Sequence, residues 1–291
     1  MSRITLNSAN SAVLIGDSPA FKTDNETGTL FAGVQSISFS LPQTRQTQKQ
    51  IGSCYYAIDD LVRHPDINLE VSYLFSPTMA NETSLGLNVI PYFEPDLGGQ
   101  TTEGDFISGI EKKSYNFYIY NHPDEGFSAI KYLTSADIAT PNNGEIISLG
   151  NAYLTNYNIS FSEGSLPTAS TSFKCSNMQA ELYDSDVVSP AINLIQGNNI
   201  GVGNLDVSET KTEMADFYGL GNGLDLANVI TSKPGDIVIE MENLQVGGQK
   251  IDVDNHIINS FSIDVLIDRV DLHGLGSDYP RARKMQLPSA G

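Results

Sequence analysis

Apolar and polar residues alternate with a period of two along several stretches of this 291-residue sequence. The clearest stretches are residues 67–75, 115–120, 157–162 and 169–174. Successive side chains of a β-strand point to opposite faces, so this pattern predicts strands with one buried face and one exposed face. Aromatic and β-branched residues, which suit strands, fill many of the apolar positions. The sequence therefore predicts a mainly β protein, an antiparallel sandwich or barrel.

Turn residues and helical patterns refine this expectation. Residues 163–167, Glu-Gly-Ser-Leu-Pro, separate two alternating stretches and predict a β-hairpin. Helical patterns are scarce, and short helices are predicted only around residues 55–62 and 213–218. Residues 185–235 are rich in Gly, Asn and Ser, which predicts an irregular insert or a linker.

One stretch of the sequence recurs near the other end of the chain. Residues 34–55 align without a gap with residues 258–279 at an offset of 224 residues (258 − 34). Apolar positions meet apolar positions, and six identities accompany them: Ser36 with Ser260, Ser38 with Ser262, Arg45 with Arg269, Gly52 with Gly276, Ser53 with Ser277 and Tyr55 with Tyr279. The period is too long for a solenoid, so the alignment predicts a partial tandem duplication of one domain.

The repeat and the composition suggest four segments. We expect an N-terminal arm at residues 1–29 and a first β domain at 30–184. The irregular insert follows at 185–235, and a second β unit begins at 236 and extends to 291. At the offset of 224, residue 291 corresponds to residue 67. The next strand of the first domain is predicted to begin at residue 67, so the second unit is expected to be incomplete.

The overall charge excludes one class of partner. The chain carries 16 Lys and Arg against 35 Asp and Glu, a formal net charge of −19. Such a chain does not bind nucleic acid by neutralising phosphates. With 40% hydrophobic and 18% charged residues it is globular rather than disordered. No stretch approaches the roughly 18 apolar residues of a membrane-spanning helix, so no membrane contact is predicted.

The usual catalytic and metal-binding patterns are absent from the sequence. The four histidines form no HExxH motif, and there is no GxSxG elbow or GxxxxGK[ST] loop. Cys54 and Cys175 have no metal-ligand spacing and are expected to be reduced thiols. We therefore predict no catalytic residue, no metal site and no cofactor, and a protein that is not an enzyme.

The distinctive feature is the chemistry of the polar positions on the predicted strands, which are small and either uncharged or negative. The candidates for a shared polar surface are Ser36, Ser38, Ser40, Asn158, Ser160, Ser162, Ser262 and Asp264. Such a surface is an ordinary solvent face in an isolated domain. In an assembled barrel it is a wet inner wall with no cation to hold DNA.

Three stretches resemble the tail tube (major tail) proteins of long-tailed bacteriophages. They are VQSISFSLPQTRQTQKQIGS followed by INLEVSYLF, the hairpin NAYLTNYNISFSEGSLPTASTSFKCSNM, and the recurrence INSFSIDVLIDRVDLHGLGS. The resemblance implies a β-sandwich of the tail tube type with a short flanking helix. It also implies that the inner sheets of neighbouring subunits close into a barrel, and that rings stack into a hollow tube.

The same resemblance implies the partners and the location of the protein. Its partners would be further copies of itself, in rings of three or six chains that stack, together with other phage tail proteins. Genome DNA would pass through the tube without specific binding. The protein would be made in the host bacterial cytoplasm and would reside in the virion tail.

By this resemblance, residues 43–50 form a loop that projects to an adjacent ring. Arg45 and Arg269 recur at one position and are expected to pair with carboxylates of a neighbouring subunit or ring. The candidates for subunit or ring interfaces are Arg45, Gln48, Gln50, Arg269, Arg281 and Arg283.

Three alternatives to a tail tube stay open at this point. A baseplate hub, tail-tip or neck protein would use the same fold in a single ring. A carbohydrate-binding β-sandwich would use some of the 13 tyrosines for sugar stacking, although the chain has no tryptophan. A β-rich hydrolase would need two carboxylates facing one cleft.

Overall fold

The computed structural model describes part of the chain, and every structural statement below concerns that part. The described ranges are 11–17, 26–27, 29–42, 45–49, 56–61, 66–75, 80–87, 113–121, 145–182, 190–192, 205–206, 245–246, 249–250, 259–274, 279–280 and 282–285.

The described residues form β-strands joined by turns, with one short helix, α1 (Ala80–Ser84). The strands are β1 (Ser11–Asp17), β2 (Glu26–Thr27), β3 (Thr29–Leu30), β4 (Val34–Ser40), β5 (Arg45–Lys49), β6 (Tyr56–Leu61), β7 (Ile67–Leu74), β8 (Tyr115–Asn121), β9 (Glu145–Ser162), β10 (Thr168–Cys175), β11 (Asn177–Leu182), β12 (Leu205–Asp206), β13 (Gln245–Val246), β14 (Gln249–Lys250), β15 (Ser260–Leu266), β16 (Arg269–Leu272) and β17 (Ala282–Met285). The predicted mainly β, antiparallel architecture is confirmed for these residues.

Nine of these strands belong to one hydrogen-bonded sheet that is arranged in two layers around β9. The C-terminal half of β9 lies in a layer with the strand order β4-β7-β10-β9-β15, which we call the polar layer. Its N-terminal half lies in a second layer with the order β3-β1-β8-β9-β11. The predicted hairpin at 163–167 is confirmed, because it joins β9 to β10 in antiparallel register.

The passage of β9 from one layer to the other depends on residues near its middle. Asn151 has a φ of +51° in the left-handed region, which Asn tolerates better than most residues. The Asn151 amide donates to the side-chain oxygen of Asn116 at 3.2 Å. Beside it, the Ser176 amide, between β10 and β11, donates to the carbonyl oxygen of Gly150 at 3.0 Å. β9 and the β10–β11 segment beside it therefore pass from one layer to the other at adjacent positions.

The hydrophobic core lies between the two layers. Phe117 on β8 packs against Phe173 on β10 with ring centroids 4.7 Å apart, and Phe31 packs edge-on against Tyr73 on β7 at 4.9 Å. Along β7 the buried and exposed positions alternate as the sequence predicts. In β8 both faces are buried, so the predicted half-exposed strand is wrong there.

The helix α1 brings two polar side chains into this core. Asn81 accepts the Ala32 amide at 2.8 Å and donates to the Ala32 carbonyl oxygen at 2.7 Å, which fixes the chain before β4. Glu82 is only 1% exposed, and its Oε1 accepts the hydroxyl protons of Tyr73 at 2.8 Å and Tyr157 at 3.0 Å. Burial raises the pKa of Glu82 above the ordinary value of 4.5, although the two tyrosine hydroxyls oppose the shift.

The helix expected around residues 55–62 is wrong, whereas the expected domain boundaries stay a prediction. Residues 56–61 form β6 rather than a helix, and they pair with β5, so much of the predicted loop at 43–50 is a strand. The predicted helix at 213–218 lies outside the described residues. β1, from the predicted N-terminal arm, and β15, from the predicted second unit, both lie in the same sheet as the predicted first domain.

The two small hairpins β5–β6 and β16–β17 have the same register at the offset of 224. Arg45 pairs with Leu61 and Gln48 with Ile58 in the first hairpin. Arg269 pairs with Met285 and Leu272 with Ala282 in the second. The strands that precede them, β4 and β15, are the two outermost strands of the polar layer.

We expect Gly150→Ala to lower the free energy of unfolding by about 1–3 kcal/mol, the usual cost of overpacking. A Cβ on Gly150 would lie 2.1 Å from the carbonyl oxygen of Pro190, and this backbone atom has to move. Chemical denaturation measures the change. Ser170→Ala on the exposed face of β10 is the control and should stay within about 0.5 kcal/mol of wild type. Equal stabilities of the two variants would contradict the close approach at Gly150.

We expect Glu82→Gln to gain stability relative to wild type as the pH rises above 4.5, the ordinary carboxyl pKa. The folded-state pKa is raised, so the unfolded chain releases this proton first and wild-type stability is lost as the pH climbs toward the folded pKa. Glutamine keeps an oxygen acceptor for both tyrosines and does not ionise. Denaturation at a series of pH values measures the difference between the two proteins, and a difference independent of pH would contradict the buried carboxyl.

Glu82→Ala is the companion variant. It removes the acceptor and leaves two buried hydroxyl donors, each of which costs about 1–3 kcal/mol when unsatisfied. Its free energy of unfolding should therefore fall below that of Glu82→Gln at every pH.

Candidate functional site

The outward side of the polar layer is a continuous surface of small polar side chains, which we call the polar face. Ser36 on β4 lies opposite Ser72 on β7, and Ser72 lies opposite Ser170 on β10. Ser170 lies opposite Asn158 on β9, which in turn lies opposite Asp264 on β15. One row of side chains thus crosses all five strands of the layer.

The eight residues predicted to share a polar surface all lie on this face. The strand registers place them as follows: Ser36, Ser38 and Ser40 on β4, Asn158, Ser160 and Ser162 on β9, and Ser262 and Asp264 on β15. Leu74 on β7 and Leu266 on β15 are apolar residues of the same face, at the ends of their strands. Residues of β7 and β10 add six polar side chains, namely Asn68, Glu70, Ser72, Ser170, Ser172 and Lys174. The same alternation in the sequence identifies these six residues, which were not among the candidates.

The charge of the polar face is low and negative. Glu70 and Asp264 are exposed carboxylates on it. Lys174 is the one cation among its described residues, and its ammonium group is 2.9 Å from Asp66 and 2.5 Å from Asp271. The face therefore presents hydroxyl, amide and carboxylate groups, and its one ammonium group is neutralised by neighbours.

Each edge of the polar layer is a strand paired on one side among the described strands. β4 pairs with β7, and β15 pairs with β9. Every step across the layer is antiparallel, so β4 and β15 run in the same direction at opposite edges. Edge strands offer unpaired backbone groups to a further strand.

Apolar side chains near the β15 edge are exposed. Leu266 at the end of β15 is 76% exposed, and Val270 and Leu272 on β16 are also exposed. The apolar side of β15 is only half-buried, although Phe261 stacks on Phe161 of β9 at 6.0 Å. In an acidic chain this edge combines open backbone groups with apolar contact area.

The β16–β17 hairpin turns its charged side chains inward. The Arg283 guanidinium is 3% exposed and bonds Asp66 at 2.5 Å, and its second amino group donates to the Lys174 carbonyl oxygen. Asp271 lies between Lys174 and Arg283, with its other oxygen 3.3 Å from the Arg283 Nε. We call Asp66, Lys174, Asp271 and Arg283 the charge cluster.

Arg269 adds a second buried guanidinium beside this cluster. Its Nε donates to the Leu154 carbonyl oxygen on β9 at 2.9 Å. The Arg269 and Arg283 guanidinium groups lie 5.2 and 5.5 Å from the centre of the Tyr153 ring, within the range of cation–π attraction. Together these contacts attach the C-terminal hairpin to β7, β9 and β10.

Arg269 and Arg283 have partners within the chain, and their predicted role at a subunit interface stays a prediction. Both are buried, because Asp66 and the end of β10 lie beside them in the fold. Arg45 and Gln48 lie on β5, but the structure does not describe their side chains. Gln50 and Arg281 lie outside the described residues. For these four the interface role also stays a prediction.

The described residues contain no group of three or more His, Cys, Asp and Glu side chains that is arranged to hold a metal ion. Burial raises the pKa of Cys175 to about 12, so its thiol is not a reactive nucleophile at neutral pH. No helix in the described part is long and apolar enough to cross a membrane.

Comparisons with known proteins give only distant likenesses. No protein-family model matches the chain, and no curated protein matches it. Among solved structures, the chain is similar to a protein in the sheath-tube complex of an extracellular contractile injection system, the PVC, in its extended state. The identity is 11%, the TM-score is 0.32, and the match covers 62% of this chain and 93% of the other.

Two further structures give similar values. The tube-terminating cap of the anti-feeding prophage matches at 11% identity and a TM-score of 0.32, over 63% of this chain and 95% of the other. The tail of an empty GTA particle, solved with C6 symmetry, matches at 10% identity and a TM-score of 0.30, over 62% of this chain and 100% of the other. TM-scores of this size establish no shared role.

We expect Arg283→Met to lower the free energy of unfolding by about 1–3 kcal/mol. This is less than the 3–5 kcal/mol for breaking a fully buried pair, because the Asp66 side chain keeps 31% of its exposure. The amide of Ile267, which donates to the Thr155 carbonyl oxygen, should also exchange its hydrogen faster. Denaturation and hydrogen exchange measure the two effects.

Lys284→Met is the matched control for this variant. Lys284 is the next residue of β17 and is exposed on its opposite face, so its loss should change stability by less than about 0.5 kcal/mol. If both variants weaken the protein equally, the charge cluster does not hold the hairpin in place.

Proposed function

We propose that this chain is a structural subunit of a phage tail or a tail-like particle, assembled into rings around a hollow channel. The observation that carries the proposal is the polar layer, because one of its faces is largely polar along all five strands and each edge strand has one neighbour among the described strands. Copies placed side by side would continue the sheet from the β15 edge of one subunit to the β4 edge of the next. Such closure removes the unpaired edges.

The chemistry of the polar face suits the lining of a channel for DNA. Its hydroxyl and amide groups keep the wall hydrated, and its carboxylates Glu70 and Asp264 repel phosphates. Lys174 is neutralised by Asp66 and Asp271 and so offers no free positive charge. The net charge of −19 acts in the same direction. DNA would pass without being held.

The exposed apolar side chains supply contact area for the joint between subunits. Leu266 is the last residue of β15, at the edge where the next copy would sit, and Leu272 is exposed on the strand that follows, β16. Burying them would contribute favourably at about 25 cal/mol per Å² of apolar surface. The resemblance of the sequence to tail tube proteins supports the same arrangement, and stacked rings would then form the tail tube.

The equal registers of the two small hairpins support a partial duplication of the tube unit. With two copies of this element per chain, a ring of three chains would display six. We therefore propose three chains per ring with pseudo-six-fold symmetry, and six chains per ring is the outcome that would exclude it.

A single-ring hub, tail-tip or neck protein is the second candidate. The charge cluster favours it, because the cluster fixes the C-terminal hairpin against the end of the layer and commits one edge of β9 to the subunit's own chain. Isolated rings would support this role, and stacked tubes would support the tail tube.

Electron microscopy of the purified protein, with native mass measurement, tests the proposal. We expect hollow rings of wild-type protein, and dispersed subunits for the double variant Leu266→Asp, Leu272→Asp, since a carboxylate at the end of β15 and another on the adjoining β16 would oppose the joint. Leu166→Asp is the matched control, because Leu166 is an exposed leucine in the turn at the other end of the layer. A wild-type protein that stays monomeric at every concentration would refute ring assembly.

A further inference from the structure

Two strand–hairpin elements of this chain correspond position by position. The N-terminal strand–hairpin is β4 with β5–β6, at residues 34–61, and the C-terminal strand–hairpin is β15 with β16–β17, at residues 260–285. Both strands are edges of the polar layer, and both hairpins keep their register at the offset of 224. The hairpin correspondence extends to residue 61, beyond the stretch in which the two sequences are visibly alike.

We propose that the side of β9 opposite β10 is a docking site for a strand–hairpin of this type, and that charge decides which copy fills it. In this chain the C-terminal strand–hairpin fills the site. The competing occupant is the N-terminal strand–hairpin of a second copy of the chain. This inference extends the proposed ring assembly. It rests on that proposal in one respect, namely that a second copy of the chain is present as the competitor.

The strand alone does not distinguish the two occupants. If β4 of a second copy took the register of β15, Ile37 would replace Phe261 and lie opposite Phe161. Ser38 would replace Ser262 and lie opposite Ser160. Apolar residues then meet the apolar side of β9, and serines meet the polar face. The antiparallel direction is also kept, because β4 and β15 both run opposite to β9.

The hairpin does distinguish them. Arg283, which bonds Asp66 at 2.5 Å, corresponds by register to Asp59 in the N-terminal copy. Docking of that copy would set a second carboxylate beside Asp66. Asp271, the partner of Lys174, corresponds to Thr47, so Lys174 would also lose an anionic partner. Arg269 corresponds to Arg45, so the contact to the Leu154 carbonyl oxygen is available to both.

The β9 edge therefore accepts the shape of either copy and rejects one by charge. Docking of the N-terminal copy would replace an ion pair with a pair of like charges, and this repulsion disfavours the wrong partner. In this way the subunit's own C-terminal element would keep the edge, and neighbours would join at the far side of β15 instead of at β9.

Two disulfide reporters distinguish the occupants in the full-length chain. Cys54→Ser is included throughout, which leaves fully buried Cys175 as the one native thiol. The pair Ser160→Cys with Ser262→Cys reports the chain's own β15, since these residues are directly opposite and within disulfide reach. The pair Ser160→Cys with Ser38→Cys reports β4 of a second copy. Within one chain these two positions are three strand spacings apart and also offset along the strands, because Ser38 is level with Asn156. Their separation is therefore more than about 14 Å, which is too far for a disulfide.

The charge of residue 66 is then reversed. With native Asp66 we expect the 160–262 bond and little 160–38 bond. Asp66→Arg repels Arg283 and attracts Asp59 of another copy, so the ratio of the 160–38 bond to the 160–262 bond should rise by roughly tenfold, which corresponds to about 1.4 kcal/mol. Mass spectrometry of the linked peptides identifies each bond. Adding Arg283→Asp to Asp66→Arg should restore the 160–262 bond, and circular dichroism checks that each variant is folded.

Two results would overturn the inference. Equal yields of both bonds with native Asp66 would show that charge does not select the occupant. An unchanged preference for the 160–262 bond in folded Asp66→Arg would show the same, and the restored double variant guards against misfolding as its cause. The particle mass is measured separately, so a failure of ring assembly is distinguishable from a failure of this selection.

Discussion

The fold depends on a single long strand. β9 spans 18 residues and hydrogen-bonds with β8 and β11 in one layer and with β10 and β15 in the other. The layers can face each other around one core only because β9 turns at Gly150 and Asn151, where no Cβ blocks Pro190 and the backbone enters the left-handed region. A strand that serves two layers couples them, so a disturbance at one edge of the polar layer is felt in the core.

The polar layer combines two kinds of interaction at different depths. Its inner side is apolar and joins the core, where the buried carboxyl of Glu82 is satisfied by Tyr73 and Tyr157. Its outer side is hydrated and almost free of positive charge, and the charge cluster lies at its end. Apolar burial gives this layer its stability, whereas the charge cluster would determine which strand–hairpin is attached to it. A subunit built in this way has a fixed interior and a selective edge.

The sequence predicted what depends on local alternation and missed what depends on distant partners. The strands β7 and β10, the β9–β10 hairpin and the shared polar face follow from period-two patterns within short windows. Residues 56–61 were predicted as a helix, but pairing with β5 makes them a strand. The burial of Arg283 follows from Asp66, which is 217 residues away in sequence, and no local pattern reveals it. Glu82 is a lone acidic residue in a short polar stretch. Its role is visible only from its contacts with Tyr73 on β7 and Tyr157 on β9.

The central claim is that the polar face lines the channel of a ring, and a cryo-electron microscopy reconstruction of the assembled wild-type particle tests it. The structure predicts that β4, β7, β10, β9 and β15 form the innermost wall, with Ser38, Ser160 and Ser262 directed at the axis. It also predicts that the outer edge of β15 is paired with β4 of the next subunit. A reconstruction in which this layer faces the outside of the particle, with another surface at the axis, would contradict the claim.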